Sequence, residues 1–214
     1  LAGRGLIYFQ DEASQLVAHL LRARTGDFVL DVCAAPGSKS TSIAAEAPGS
    51  TIVAADLYEH RVRVMKELAS HQQSDNILFV VSDGTQDLPF NDRSFDRVLV
   101  DAPCSGTGTL RHNPEIRWRL QPTDITEMAG RQKQILEKAS RMVRADGWLL
   151  YSTCSLEKDE NEAVVTEFLE RHPDFRTSPF KTRSDLLTKS GALRTWPHRQ
   201  DVDGFFVMAF QRSG

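Results

Sequence analysis

Short continuous apolar runs recur along the chain, and each ends at a small or polar residue. Runs of this length that are bounded by turn-forming residues are typical of buried strands in a parallel sheet. They predict five strands, at residues 28–32, 51–55, 77–81, 95–100 and 148–152. The segments between them predict helices, at residues 11–24, 40–47, 58–71, 123–143 and 161–171. Strands that alternate with helices indicate an α/β fold with a Rossmann-like, doubly wound sheet that carries helices on both faces.

A sixth apolar run, at residues 204–210, follows a long irregular connection. Periodicity does not reveal whether this strand runs antiparallel to the others. We expect it to be added late, in the manner of a hairpin, at the edge of a sheet that is otherwise mostly parallel. Residues 1–10 carry no helix start signal and have the character of the cut edge of a longer chain.

Composition narrows the class of protein. The 214 residues suffice for one sizeable core, so we expect one domain over residues 1–214. No apolar run approaches the length of a membrane span. The net charge of −3 gives no general attraction to nucleic acid, so any RNA contact must depend on local basic patches or on another domain.

The three cysteines lack C-x-x-C spacing, which argues against a disulfide framework or a zinc site and fits a reducing, cytoplasmic setting. No histidine belongs to a metal-ligand pattern, and we expect no metal.

Two cysteines follow predicted strands directly. The run at residues 98–100 leads into Asp101, Pro103 and Cys104 and then into small residues, and the run at 148–150 leads towards Cys154. Ligands of open α/β sheets bind at the carboxyl ends of the strands. One such thiol is as well explained by a buried structural cysteine, but a second in an equivalent place favours a reactive site.

The first half of the chain has the layout of a nucleoside-binding unit. A small-residue turn at 34–37 links the first strand to a helix, and Asp56 follows the second strand. The turn is neither G-x-G-x-x-G nor a P-loop, so a nucleoside without a phosphate chain is expected, and S-adenosylmethionine fits. Asp56 would accept from the ribose hydroxyls, and Asp83 from the adenine amino group. The alternative is that Asp31, Asp56 and Asp83 only cap helices and turns.

Two thiols with a methyl donor suit methylation of a pyrimidine ring. A thiolate that adds to C6 makes C5 nucleophilic, and a second group then assists release of the product. Asp101 could bond N3 or N4 of the base. Lys39 could donate to the base carbonyl and lower the pKa of the thiol through its charge.

These stretches resemble the RNA cytosine-C5 methyltransferases of the Sun-domain (bacterial RsmB-like) family over nearly all of the chain. The motifs are DVCAAPGSK at 31–39, DAPCSGTG at 101–108 and YSTCS at 151–155, with QDEAS at 10–14, RTWPH at 194–198 and DGFF at 203–206. Ser38 stands where the family usually has a second glycine. The resemblance implies a class I methyltransferase fold that acts on RNA, with 16S ribosomal RNA favoured over tRNA. A non-catalytic RNA-binding module for ribosome assembly is the alternative from another class.

The resemblance also implies residue roles. Cys154 would be the nucleophile and Cys104 the helper in product release, whereas the Pro-Cys pair of DNA cytosine methyltransferases would favour Cys104 as nucleophile. Asp101 would lie between cofactor and base. The implied cofactor-binding residues are Cys33, Ala34, Ala35, Pro36, Gly37, Ser38, Lys39, Asp56, Asp83 and Asp101. Cys33 itself is interpreted as a packing residue.

Basic residues interleaved with tryptophan suit RNA backbone contacts and base stacking, although solvated charges around a core tryptophan explain each patch equally well. The patches comprise Arg111, His112, Arg117, Trp118 and Arg119, and Arg194, Trp196, His198 and Arg199. Family members usually carry a further RNA-binding domain, so we expect an N-terminal one outside this sequence. We expect a monomer.

Overall fold

The computed structural model describes residues 8–214 and forms a single mixed sheet with helices on both faces. The strands are β1 Phe28–Asp31, β2 Thr51–Asp56, β3 Ile77–Val81, β4 Phe95–Asp101, β5 Val143–Thr153, β6 Phe175–Thr177, β7 Leu193–Arg194 and β8 Phe206–Arg212. The helices are α1 Glu12–Leu20, α2 Ser38–Glu46, α3 Glu59–His71, α4 Ile116–Arg119, α5 Pro122–Met142, α6 Glu162–Arg171 and α7 Pro197–Gln200. The expectation for residues 1–10 falls largely outside the described part of the chain.

The strand order explains where a site can form. The sheet runs β3-β2-β1-β4-β5-β8-β6, with β7 pairing to β8. Strands β1 to β5 are parallel to one another, and the order reverses between β1 and β4. Ligands in doubly wound sheets bind in the crevice beyond the carboxyl ends at such a switch point. The predicted doubly wound α/β architecture is confirmed.

The late strand lies elsewhere than expected. β8 joins antiparallel to β5, in register from Trp148 opposite Gln211 to Thr153 opposite Phe206. It is not an edge strand, because β6 and β7 pair antiparallel with its other side. These two strands are only three and two residues long. They lie within the connection that looked irregular, and segments so short carry too few alternating positions to be detected.

The two faces of the sheet are covered by different helices. On one face, Ile135 and Leu136 of α5 and Phe168 of α6 pack on inward residues of β4 and β5. On the other face, Val17 of α1 and Met65 of α3 belong to the second core cluster. Burial on both faces explains why the strands read as unbroken apolar runs rather than as alternating ones.

Helix ends deviate from the sequence prediction by a few residues. α1 begins after Asp11, whose carboxylate accepts from the Ala13 N–H at 2.9 Å. It ends at Leu20, several residues before Gly26, the expected stop, because Arg22 already adopts a left-handed conformation at φ 52°. Within residues 8–214, no helix combines the length and apolarity needed to cross a bilayer.

Candidate active site

Two cavities lie on the carboxyl edge of the sheet and meet at one place. The first, of about 450 Å³, lies beyond β1, β2 and β3 and is lined by Asp56, Asp83 and Cys104, among others. The second, of about 810 Å³, opens on the other side, beside α1 and the loop after β4. Asp101, Ala102 and Cys154 line both cavities. A molecule in either cavity therefore reaches the same carboxylate and the same thiol.

Asp56 and Asp83 both face the first cavity. Asp56 is buried and accepts from the Ala35 N–H at 3.2 Å and the Tyr58 N–H at 3.3 Å, and Arg61 lies 3.3 Å from its Oδ1. Asp83 uses Oδ1 to accept from the backbone N–H and the hydroxyl of Thr85. Asp83 thus caps a turn, as the alternative interpretation held, and still lines the cavity. The ribose and adenine roles of these two residues remain predictions.

The turn after β1 divides between the two cavities. Cys33 and Ala35 line the first, whereas Pro36, Ser38 and Lys39 line the second. The sequence predicts that all of residues 33–39 bind the cofactor. In the structure, only Cys33 and Ala35 of this turn line the first cavity.

Gly37 adopts φ 104°, and a Cβ there would lie 3.2 Å from Cγ of Met65 in α3. The tight return from β1 into α2 therefore depends on glycine.

Lys39 and Asp101 form an ion pair at the junction of the cavities. Lys39 Nζ lies 2.7 Å from Asp101 Oδ2, and the Ser152 hydroxyl donates to Asp101 Oδ1 at 2.6 Å. Burial disfavours the charged lysine, but the charge and hydrogen bond of Asp101, with smaller contributions from Asp31 and Cys154, outweigh burial and raise the pKa of Lys39. The ammonium group therefore stays protonated beside the thiols. It also lies 5.6 Å from the ring centroid of Phe205.

The two predicted thiols are brought together. Sγ of Cys104 lies 3.1 Å from Sγ of Cys154. The hydrogen bond to Cys154 and burial raise the pKa of Cys104 well above its usual range, with the charges of Cys154 and Glu160 contributing. The raised pKa disfavours ionisation of Cys104, and either sulfur can donate to the other. The assignment of Cys154 as the nucleophile stays a prediction.

The third thiol differs in character. Burial, followed by the charge of Asp31, strongly raises the pKa of Cys33. A thiol so far from ionisation is unreactive, which agrees with its interpretation as a packing residue although it lines the first cavity.

Sequence reasoning missed the residues that hold the thiol loops. Glu160 and Asn161 are fully buried. Glu160 connects the loop that carries Cys104 to the loop that carries Cys154, and Asn161 bonds Thr153 and Ser155 on the two sides of Cys154. Gln132 of α5 donates to Glu160 at 2.9 Å. The sequence interpretation treated residue 161 only as the start of a helix. The signal was a run of polar residues, DEN at 159–161, between a strand end and a helix, but polarity normally indicates exposure.

The basic patches separate into exposed and structural residues. Arg111 and His112 line the second cavity, and Arg111 forms ion pairs with Asp11, Asp201 and Asp203. Ligand atoms of Asp11, His112 and Asp203 lie within 4.8 Å of one another. The Arg111 guanidinium lies 3.4 Å from both of these carboxylates and offsets part of their charge. The expectation of no metal stays a prediction.

Trp118 and Arg194 illustrate the two outcomes for such patches. Trp118, in α4, is 79% exposed between Arg117 and Arg119, which are exposed as well. Arg194 is buried, pairs with Glu162 at 3.3 Å and packs on the rings of Trp196 and Phe206. Burial lowers the pKa of Arg194, against the charges of Glu162 and Glu157. Arg194 therefore has the structural role that the sequence left open.

The sequence of this chain is similar to those of a known protein family. The family model for the 16S rRNA methyltransferases RsmB/F matches residues 18–211. The probable ribosomal RNA small subunit methyltransferase B of Bacillus subtilis (strain 168) is 35% identical over 98% of this chain and 48% of its own length. The corresponding protein of Yersinia pseudotuberculosis is 36% identical over 94% of this chain and 46% of its own. The chain therefore spans about half the length of these curated relatives.

A solved structure agrees with the sequence comparisons. The NSun6 protein from Pyrococcus horikoshii, crystallised with SFG, an analogue of S-adenosylmethionine, superposes with a TM-score of 0.89. It is 27% identical, over 99% of this chain and 54% of its own length. The family is one of S-adenosylmethionine-dependent methyltransferases. The match over residues 18–211, together with the 35% and 36% identical relatives, shows that the chain belongs to the RsmB/F family of 16S rRNA methyltransferases.

Proposed function

We propose that this chain transfers a methyl group from S-adenosylmethionine to C5 of a cytosine in RNA, with 16S ribosomal RNA as the favoured substrate. The observation that carries the proposal is the pair of thiols, 3.1 Å apart, where the two cavities meet. One cavity suits the cofactor and the other the base. Membership of the RsmB/F family favours ribosomal RNA over tRNA.

The first cavity fits the cofactor. Its volume of about 450 Å³ lies within the usual range for small-molecule sites. Asp56 is placed to accept from the ribose hydroxyls, and Asp83 from the adenine amino group through the oxygen that Thr85 does not use. When bound, S-adenosylmethionine supplies an electrophilic methyl group on a sulfonium. The polar end of this cavity reaches Asp101 and Cys154.

In the proposed reaction, the thiolate of Cys154 adds to C6 of the cytosine, which makes C5 electron-rich. C5 takes the methyl group from the sulfonium, whose sulfur leaves as a neutral thioether. A base then removes the C5 proton, and the electron pair of that C–H bond forms the C5–C6 double bond as the Cys154–C6 bond breaks, which restores the aromatic ring and the Cys154 thiolate. Cys104, with its sulfur 3.1 Å from that of Cys154, assists release as this base or by shaping it. The positive charge of Lys39 lies near the base carbonyl, and Asp101 accepts from the N4 amino group.

RNA contacts are proposed around α4. Ile116 of α4 packs near Gly106, in the loop that carries Cys104, so the helix is close to the reacting groups. Trp118 offers an exposed ring for a base next to the target, and Arg117 and Arg119 offer charges for phosphates.

Trp118→Ala should therefore raise KM for RNA about tenfold, because base–aromatic stacking contributes about 1–3 kcal/mol. The KM for cofactor should not change. Leu78→Ala, on the exposed face of β3, serves as control because Leu78 is 56% exposed and far along the sheet. An RNA KM that is equal in the two variants would contradict the contact.

The reaction is tested with labelled S-adenosylmethionine and total RNA from cells that lack the enzyme. Label at C5 of a mapped cytosine in 16S RNA supports the proposal. Label found in tRNA instead would identify tRNA as the substrate. Absence of transfer together with retained RNA binding would favour the non-catalytic module for ribosome assembly. That module is the weaker candidate, because Cys104, Cys154 and Asp56 are all in place.

The roles of the two thiols can be distinguished by trapping the covalent protein–RNA adduct in cysteine variants. Cys154→Ala should transfer no methyl group and form no covalent RNA complex. Cys104→Ala should still attack C6 but stall before release, so a protein–RNA adduct should survive denaturing electrophoresis. The adduct should disappear in the double variant. An adduct with Cys154→Ala would reverse the two roles.

The domain is further proposed to work within a longer cytoplasmic protein, as a monomer, with RNA affinity supplied partly from outside residues 1–214. The net charge of −3 and the coverage of about half of the relatives' lengths support the part of this proposal that concerns RNA affinity from outside residues 1–214.

A further inference from the structure

We propose that Glu160 is a positioning residue for the thiol pair, joining the loop of Cys104 to the loop of Cys154 through a buried carboxylate. Its meaning for catalysis rests on the proposed function. The separation of the two sulfur atoms that it fixes can be measured without RNA or cofactor.

The carboxylate contacts both loops directly. Oε1 of Glu160 accepts from the backbone N–H of Ser105 at 2.9 Å, and Oε2 accepts from the hydroxyls of Ser105 and Ser155. Ser105 follows Cys104 in the chain, and Ser155 follows Cys154. One fully buried side chain therefore bonds the residue next to each thiol.

Neighbouring groups fix Glu160 itself. Gln132 of α5 donates to Oε1 at 2.9 Å, and the Tyr151 hydroxyl donates to the Glu160 backbone carbonyl at 2.6 Å. Asn161 accepts from the Thr153 hydroxyl and donates to the Ser155 carbonyl at 2.8 Å, so it spans Cys154 from both sides. The cluster is a connected polar network in the core, which is the kind that rigidifies its surroundings.

Two thiols that act one after the other on the same base must be held at a fixed distance from each other. The backbone also links the loops, because the Gly108 N–H donates to the Cys154 carbonyl at 2.9 Å. That bond fixes Cys154 relative to Gly108, four residues beyond Cys104. Ser105 Oγ also lies 3.1 Å from Ser155 Oγ, and Gln132 donates to the Pro103 carbonyl at 2.9 Å. These links converge on the Glu160 carboxylate, which accepts from Ser105, Ser155 and Gln132. Small displacements of reacting groups are costly, so loss of this bridge is expected to affect turnover more than binding.

The test uses phenylarsine oxide, a trivalent arsenical that binds two adjacent thiols. Two S–H groups and the arsenic-bound oxygen give two S–As bonds, with the oxygen and both protons leaving as water. The wild type should bind one equivalent at the Cys104–Cys154 pair, and Cys104→Ser should bind far more weakly. Glu160→Ala should weaken binding about tenfold or more, because buried acceptors to both loops are lost.

Glu160→Gln provides a conservative rescue. Its amide oxygen can accept from Ser105 N–H and Gln132, and its NH₂ can donate to hydroxyls that rotate to accept, so arsenical binding should stay near the wild-type level. Asp159→Ala is the matched control, because Asp159 is the exposed neighbouring carboxylate. Glu160→Asp, which keeps the charge but is one methylene shorter, should behave like Glu160→Ala and replaces it if that variant does not fold.

In RNA methylation, Glu160→Asp should lower kcat at unchanged KM for RNA and cofactor. Arsenical binding that is equal in wild type, Glu160→Ala and Glu160→Asp would overturn the positioning role. The positioning role would also be overturned if Asp159→Ala weakened arsenical binding as much as the Glu160 variants do. If the arsenical pattern holds but no variant, wild type included, methylates RNA, the proposed function fails and the positioning of the thiols by Glu160 stands.

Discussion

Asp56 already holds three groups of the protein through its two carboxylate oxygens. These contacts, to Ala35, Tyr58 and Arg61, are 3.2–3.3 Å long, and such lengths are at the weak end of hydrogen bonding. The oxygens therefore retain capacity for stronger acceptance from two ribose hydroxyls. Hydrogen bonds to a charged acceptor in a partly dry cavity contribute more than those between neutral groups.

Asp56→Ala should accordingly weaken S-adenosylmethionine binding by about 2–3 kcal/mol, since contacts to both hydroxyls are lost. Calorimetry without RNA measures the change. Asp75→Ala, at an exposed position before β3, should leave the affinity unchanged. An Asp56→Ala affinity equal to that of the Asp75 variant would remove Asp56 from the cofactor site.

Among the structural elements, the loop after β4 depends on one close approach. The carbonyl of Gly108 accepts from the Gly204 N–H at 2.9 Å, which ties the loop to the lead into β8. A Cβ on Gly108 would lie 2.0 Å from the Gly204 carbonyl oxygen and 2.8 Å from that of Cys154. Backbone atoms of three segments meet here, so none can move aside cheaply.

Gly108→Ala should destabilise the protein by several kcal/mol, on the scale of core overpacking, and reduce methyl transfer because the Cys154 carbonyl is displaced. Gly130→Ala is the matched control: a Cβ there meets no atom within 4 Å, and it lies inside α5. Alanine should stabilise that helix by about 0.5–1 kcal/mol. Urea denaturation that moves both variants in the same direction would contradict this account.

The sheet shows which elements a sequence can specify. The five apolar runs predicted β1 to β5 because burial on both faces leaves a continuous signal. The antiparallel position of β8 between β5 and β6 was not predictable, since strand partners depend on packing rather than on periodicity. Likewise, Cys104 and Cys154 were found because each follows a strand, whereas the buried position of Glu160 results from tertiary contacts with Ser105 and Gln132.

Over the whole molecule, the switch in strand order between β1 and β4 divides the sheet into two halves that carry different site residues. The β1–β3 half carries Asp56 and Asp83, and the β4–β5–β8 half carries Cys104, Cys154 and, just before β8, Phe205. The halves meet at Asp101, beside the Lys39 ammonium group. A methyl donor and a base that enter from opposite sides can thus approach each other only over this junction.

The stability of the whole protein should carry a signature of Asp31, at the centre of the sheet. Asp31 is fully buried, its Oδ2 accepts from the Ser40 hydroxyl at 2.7 Å, and its Oδ1 has no partner within residues 8–214. Burial raises the pKa of Asp31 from 3.8 to about 7. The hydrogen bond from Ser40 lowers this pKa, whereas the charges of Asp101 and Asp56 raise it further.

Between these two pH values the folded state keeps a proton that the unfolded state has released. The contribution of Asp31 to the free energy of unfolding therefore falls as pH rises from about 4 to 7 and is constant above that window. Asp31→Asn cannot ionise, so its stability relative to wild type should increase steadily across the window. Urea denaturation at pH 5, 6, 7 and 8 measures this difference, with Asp75→Asn as the exposed control. A difference between Asp31→Asn and wild type that stays constant with pH would mean that Asp31 is ionised in the folded protein throughout.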